Sequence, residues 1–304
     1  QHAQINWFKE IQDELYPHAE KPVIYLEQQQ IKSEEALIKR AIHETVEQLK
    51  LVNTIERKPA SLDKLVIGLE CGGSDGFSGI SANPVVGHVS DLINTLGGTT
   101  ILSEFPELNG VEQNLVDRCT SRALAEKFLS LQIAYSEKAK SVGSGFDMNP
   151  SPGNVKDGLI TDAIKSAGAA KKGGSAPING ILDYTEPTKS TGLNLLCTPG
   201  NDVESTTGMV GSGANLVLFT TGLGTPTGNP IAPVMKISSN TQLYESMNDI
   251  IDFDAGPIIS GEKSIDELGE ELLNSVIEVA SGKPTKSMKL EQHDFILWKR
   301  GVSL

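Results

Sequence analysis

Cysteine is scarce: Cys71, Cys119 and Cys197 are all that 304 residues hold, an odd number, widely spaced and without a CxxC pair. That argues against a disulfide scaffold and for a reducing, cytoplasmic setting. The five histidines show no HxH, HExxH or other paired spacing, so this chain alone cannot build a histidine-rich metal site. His88 reads as a surface or capping residue. No segment approaches the roughly 20 uninterrupted apolar residues that a membrane span requires. Positive charge is in deficit too, because 26 Lys and Arg against 39 Asp and Glu leave a net charge of -13. Such a surface repels phosphate backbones and anionic lipid, so neither nucleic acid nor membrane is an expected partner. No internal repeat and no low-complexity tract occurs.

Two glycine clusters invite a nucleotide reading and then exclude it. A dinucleotide loop needs a helix opening directly after its glycines, so that free backbone amides meet the pyrophosphate. Pro226, Pro230 and Pro233 forbid a helix after Gly222-Leu-Gly224, and Gly208 to Gly213 precedes a strand, which is the wrong order. No GxxxxGK[ST] exists. No nucleotide cofactor is expected.

What is present is ordinary globular material, 38% apolar and 21% charged. Pro22 to Leu26 reads as a short strand, and Ser33 caps a helix with Ile38, Ala41, Ile42, Val46 and Leu49 at helical spacing. The polar stretch Glu56 to Ser61 breaks the pattern, so the domain boundary is set at residue 60, with 61–304 as the main domain. From there strands and helices alternate. Strands are expected at Lys64 to Glu70, around Ile101, and near 180–184, 193–197, 215–220 and 234–238. Helices are expected at Val85 to Leu96, at one or two places between Gly110 and Ala139, and at Ser264 to Ala280 with a Ser264/Glu267 capping box. The fold class is therefore α/β, a mostly parallel sheet with helices on both faces, a Rossmann-like layering without a nucleotide site.

The loops after the strands are uneven, and chemistry gathers in a few of them. Gly68-Leu-Glu-Cys-Gly-Gly-Ser-Asp-Gly-Phe-Ser-Gly-Ile-Ser-Ala-Asn-Pro84 joins a buried strand to a loop with one thiol, hydroxyls, a carboxylate and an amide among glycines. A loop that only reversed the chain would not need them. Ligands in open α/β sheets bind at the carboxyl ends of strands, which would bring this loop together with those after Glu104, Cys197 and Thr221. Cys71 is either a small apolar residue finishing its strand or a soft metal ligand. The carboxylates Asp75, Glu104, Glu107 and Asp202, with Asp183 and Glu204 behind them, are acid/base or metal candidates. Asp202 could instead cap a helix over 203–212. Lys171, Lys172 and Lys236 supply positive charge. Ser74, Ser78, Asn83, Asn154, Asn201, Thr221 and Asn229, with Thr220 and Asn240, are donors and acceptors suited to the hydroxyls of a sugar acid.

These segments, with Ser103-Glu104-Phe-Pro-Glu107, Asn149-Pro-Ser-Pro-Gly-Asn154, Thr198-Pro-Gly-Asn-Asp202, Phe219 to Pro230, Asp249 to Pro257 and the closing Trp298 to Leu304, resemble the C-terminal region of the altronate/galactarate dehydratase family, in wording nearer its altronate members. The resemblance runs from about Leu65 to the end. It implies loss of water from a sugar acid, altronate giving 2-keto-3-deoxygluconate, assisted by an iron-type divalent metal, Fe2+ with Mn2+ as the alternative. Family members carry a further N-terminal portion, which would make residues 1–60 the tail of a preceding domain and those missing domains a partner of the site. A homo-oligomer is left open.

On that basis Cys71, Asp75 and Glu104 are the expected metal ligands, and Ser74, Ser78, Asn83, Asn154, Asn201, Thr221 and Asn229 position substrate. Asp202, Lys172 and Lys236 are the candidates for proton transfer, unless the base comes from the N-terminal portion. Galactarate dehydration, sulfite elimination from a sulfo-acid and non-catalytic sugar-acid binding are the alternatives.

Overall fold

The computed structural model describes residues 2–15 and 22–300. Residues 301–304 of the terminal motif lie outside the described residues. The chain divides into two compact units, Gln1–Ala60 and Ser61–Leu304. In the first, helices span His2–Leu15, Gln28–Ile31 and Glu34–Val52. Ser33 caps the last of these, its Oγ accepting from the Ala36 amide at 3.3 Å, with Glu34 and Glu35 in the first turn where they complement the helix dipole. The strand expected at Pro22 to Leu26 does not form. A lone five-residue run has nothing to pair with, since the described residues of this unit offer no second strand.

The second unit is built on seven parallel strands: β1 (Val66–Cys71), β2 (Thr99–Leu102), β3 (Ile178–Leu182), β4 (Gly192–Leu196), β5 (Leu216–Thr221), β6 (Val234–Ser238) and β7 (Phe253–Asp254). Their order is β3-β4-β2-β1-β5-β6-β7. Register is set on both sides of β1, where Val66 pairs with Thr99 and Ile67 with Leu216.

Strand alternation sends side chains to two cores. Ile67 and Leu69 of β1 join Val85, Val86, Val89 and Ile93 of the helix Ala82–Thr95 on one face. Ile101, Val217 and Phe219 meet Met209 of the helix Asp202–Gly211 on the other. Gly68 is where that helix comes close, since a Cβ there would lie 2.8 Å from the Met209 sulfur. The helix Ile265–Ala280 has the expected box: Ser264 Oγ accepts from the Glu267 amide while the Glu267 carboxylate accepts from the Ser264 amide. His88 packs against it, its Nδ1 3.2 Å from Asp266. No helix of the described residues is long and apolar enough to cross a membrane.

Chain order reverses direction at β1, with β2 on one side and β5 on the other. The carboxyl ends of β1, β2 and β4 therefore open onto one crevice beside that switch point.

Candidate functional site

Each wall of the crevice follows a strand end. Cys71 is the last residue of β1, Glu104 and Glu107 follow β2, and Asn201 and Asp202 follow β4. A cavity of about 530 Å³ is lined by Cys71, Glu104, Glu107, Asn149, Asn154, Lys165, Asn201 and Asp202 among others. Gly72, on the cavity wall, lets the backbone pack tightly behind it, for a Cβ there would meet the Phe219 ring and the Thr225 hydroxyl at 2.5 Å.

Glu104 is the centre. It sits at φ 65°, ψ 63°, a left-handed conformation that costs a non-glycine residue about 1–3 kcal/mol and persists where surrounding bonds impose it. Here they do. Its amide donates to Thr198 Oγ1 at 2.8 Å, and its Oε2 accepts from the Cys71 amide at 3.1 Å, from Cys71 Sγ at 3.2 Å and from Lys172 Nζ at 3.0 Å. Cys71 Sγ also reaches Glu107 Oε2 at 3.3 Å. The thiol and both carboxylates place one ligand atom each within 4.8 Å of one another.

Charge is concentrated and buried here. Burial disfavours the Glu104 carboxylate, but Lys172, together with hydrogen bonds from Glu70 and Cys71, holds the group below its ordinary value. Burial likewise opposes charge on Lys172, yet its acidic neighbours, with Glu104 in ion-pair contact, keep the ammonium above its ordinary value. Burial, reinforced by Glu104 and Glu107, pushes the Cys71 thiol well up, so it holds its proton until a cation displaces it. Burial pushes the Asp202 carboxyl up to about 7, again with help from Glu104 and Glu107. Behind Glu104 lies Glu70, wholly buried and raised well above the carboxylate range by burial and then by the Glu104 charge.

Lys165 is the cation on the cavity wall, 8% exposed. Its Nζ lies 2.8 Å from Glu107 Oε1, 3.3 Å from Asn154 Oδ1 and on Asn149 Oδ1. Burial works against its charge, but Glu107 raises its proton affinity above the ordinary lysine value.

Of the residues singled out in the sequence, Cys71, Glu104, Asn154, Asn201 and Asp202 meet at this cavity, with Lys172 directly behind. Others do not line it. The Asp75 carboxylate is taken up by its own loop: Oδ1 accepts from the Phe77 and Ser78 amides and from Ser78 Oγ at 2.7 Å, and Oδ2 accepts from Ser239 Oγ at 2.8 Å and Asn240 Nδ2 at 3.2 Å. Gly222 belongs to that arrangement, as a Cβ there would lie 2.4 Å from the Asp75 carboxyl carbon. Ser78 is spent on Asp75, and Ser74 Oγ turns to the Gly72 carbonyl. Asn83 bridges the Gly168 carbonyl and Thr220 Oγ1. Thr221 Oγ1 collects the amides of Leu223, Gly224 and Thr225, and Asn229 Oδ1 those of Ile231 and Ala232.

Lys236 is buried in β6, over the Phe219 ring at 4.4 Å and on the Thr227 carbonyl. Burial lowers it to about 8 against the pull of Asp252, Asp202 and Asp294. The helix cap expected of Asp202 is made by its neighbour: Asn201 Oδ1 accepts from the Glu204 amide at 3.4 Å, because Asp202 already has helical geometry at the first position. Sequence reasoning missed Lys165, which carries no motif and stands four residues after the Thr161 cap of its helix. It also left Glu70 as mere strand and Asn149 without a role.

The family model described as D-galactarate/altronate dehydratase, C-terminal, matches residues 62–303. The altronate dehydratase of Escherichia coli strain K12 is 42% identical over 249 residues, covering 82% of this chain and 50% of that protein. That of Bacillus subtilis strain 168 is 38% identical over 288 residues, 93% of this chain and 56% of the relative. Galactarate dehydratase (L-threo-forming) of Escherichia coli strain K12 is 36% identical over 235 residues, 77% of this chain and 45% of the relative. The chain thus spans about half the length of the curated relatives it matches.

Proposed function

Since this chain belongs to the D-galactarate/altronate dehydratase C-terminal family, we propose that it carries the catalytic centre of a sugar-acid hydro-lyase, with altronate as substrate and 2-keto-3-deoxygluconate as product. The substrate follows the two altronate dehydratases among its relatives. Removing water from a 2,3-dihydroxy acid means taking a weakly acidic proton beside the carboxylate, stabilising the enediolate that results and helping hydroxide leave.

The observation that carries the reading is the convergence of Cys71 Sγ, Glu104 and Glu107 on one point of a polar cavity. One soft sulfur with two hard oxygens suits ferrous iron, with manganese as the alternative. The thiol hydrogen bonds to both carboxylates occupy the place a cation would take. A divalent ion there would supply the Lewis acid for the enediolate.

The rest falls to the chain's own side chains. Lys165, oriented by Asn149 and by the capping residue Asn154, pairs with the substrate carboxylate, while Asn201 meets a hydroxyl with the amide its capping bond leaves free. Lys172 keeps Glu104 ionised; held above the ordinary lysine value, it does not serve as a base near neutrality. Lys236 lies off the cavity. That leaves Asp202 as the catalytic carboxylate of the three sequence candidates. The N-terminal half that the relatives possess is proposed as the partner completing the site.

Whole enzyme assayed anaerobically with ferrous ion should form a 2-keto-3-deoxy acid from altronate faster than from galactarate, and Glu107→Gln should abolish it. An enzyme that dehydrates neither acid, or a Glu107→Gln variant at full rate, would remove this reading.

A further inference from the structure

Glu104 faces two ways. Its Oε2 is claimed by Cys71 and Lys172, on the side of Glu107. It also belongs to a second group, in which Glu70, Glu104 and Asp202 each place one carboxylate oxygen within 4.8 Å of the others.

Glu70 gives that second group its meaning. Its side chain is wholly buried, and Oε2 accepts from Ser205 Oγ at 2.6 Å and from Ser103 Oγ at 2.9 Å. At 2.6 Å the Ser205 bond is short enough for an ionised acceptor. No donor reaches the other oxygen, the buried Oε1, and the Glu104 carboxylate stands within hydrogen-bonding reach of Glu70. A cation beside that free oxygen would give it the positive partner it lacks. The Asp202 carboxylate, in reach of its own amide, takes no side-chain hydrogen bond among the described residues. Around the pair of groups, Glu70, Glu104, Glu107 and Asp202 outnumber the ammoniums that act on them, Lys165 and Lys172 in ion pairs and Lys236 on Asp202, and an excess of buried carboxylate is costly unless a counter-charge is present.

We propose that Glu70, Glu104 and Asp202 bind a second divalent cation, an oxygen-preferring ion of the Mn2+ or Mg2+ type, with Glu104 shared between it and the ion at Cys71 and Glu107. An all-carboxylate set selects harder ions than a thiolate-containing one. Asp202 then acts through the ion it holds, and the Ser103 and Ser205 hydroxyls orient Glu70, as outer-sphere partners of metal ligands do. The inference shares Glu104 with the proposed catalytic ion but needs neither that ion nor the substrate assignment.

The test is metal counting without substrate. Full-length protein is stripped with chelator, loaded with Mn2+ under argon and desalted; bound manganese is measured by mass spectrometry and by electron paramagnetic resonance. Two ions per chain with a spin-coupled signal are expected. Glu70→Gln and Asp202→Asn should each leave one uncoupled ion, and Cys71→Ser should leave the other. One ion per chain in the wild type, removed by Cys71→Ser and untouched by Asp202→Asn, would overturn this inference while sparing the catalytic ion. A wild type that binds none would overturn both. Because Glu70 is deeply buried, circular dichroism accompanies its variant, and the partly exposed Asp202 provides an independent reading if that variant does not fold.

Discussion

The two halves of the sheet's carboxyl edge use the same residue types to opposite ends. Beyond β1, β2 and β4, polar groups turn outward into a shared cavity: Cys71, Glu107, Lys165 and Asp202 all line it. Beyond β5 and β6 they turn inward onto their own backbone, as Thr221, Asn229 and Asn240 do, each accepting from amides two to four residues on. The lesson is that Asn, Asp and Thr beside Gly and Pro are ambiguous until their neighbours' amides are accounted for. A loop with unpaired N–H groups consumes such side chains, because a buried amide left without an acceptor costs about 1–3 kcal/mol. A loop braced by ion pairs leaves them free for a ligand.

The sharpest break of this comparison is Lys172→Met. Losing the buried partner of Glu104 leaves a carboxylate in a closed pocket, and breaking a buried pair in this way costs about 3–5 kcal/mol. Urea denaturation should show that loss; an effect like that of an exposed pair would mean that Glu104 is already neutral.

Next comes substrate binding. Lys165→Met should lower kcat/KM for altronate about 10–100-fold, the value of one charge-assisted hydrogen bond of about 1.5–3 kcal/mol. Asn229→Ala, on the other half of the edge, should leave turnover nearly unchanged and instead lower the melting temperature. Steady-state kinetics on both variants decide between the halves; a larger kinetic defect for Asn229→Ala would invert the account.

Asp75→Asn should cost about 1–3 kcal/mol through its weakened hydroxyl and amide network, with bound iron unchanged. Iron loss without loss of stability would return Asp75 to the metal.

A smaller effect depends on pH. Burial lowers Lys236 to about 8, against an ordinary lysine value of 10.5. Between those values the unfolded chain binds more protons than the folded one, so stability rises with pH across this window. Below about 8 the penalty of charging Lys236 is present in full, on the order of 3 kcal/mol. The groups facing it are Asp252, Asp202, Asp294, the Phe219 ring and the Thr227 carbonyl. The stability difference between wild type and Lys236→Met should therefore shift toward wild type as pH is raised from about 8 to about 10.5. A difference independent of pH would contradict it.

Much of the fold was legible because burial on both faces makes parallel strands read as continuous apolar runs, as β1 and β5 do, while glycine and proline mark the turns. The Ser264/Glu267 box was legible because it is local. The site was readable only in part. Cys71 and Glu104 stand in motifs at strand ends, so topology alone brings them together. Lys165 lies on a helix from a different stretch of chain, and its place beside Glu107 is a tertiary fact that no local pattern encodes. Asp75 misled for the opposite reason: its partners Ser239 and Asn240 lie more than 160 residues away, and only their arrival turns a candidate ligand into a brace.

The central claim is that the catalytic cation belongs to the β1, β2 and β4 half of the edge. An anomalous-scattering map at the iron absorption edge, from crystals of whole enzyme grown anaerobically with ferrous ion, tests it most directly. The account predicts a peak coordinated by Cys71 Sγ and the carboxylates of Glu104 and Glu107. A peak on Asp75, or iron bound with none of those three residues among its ligands, would contradict it.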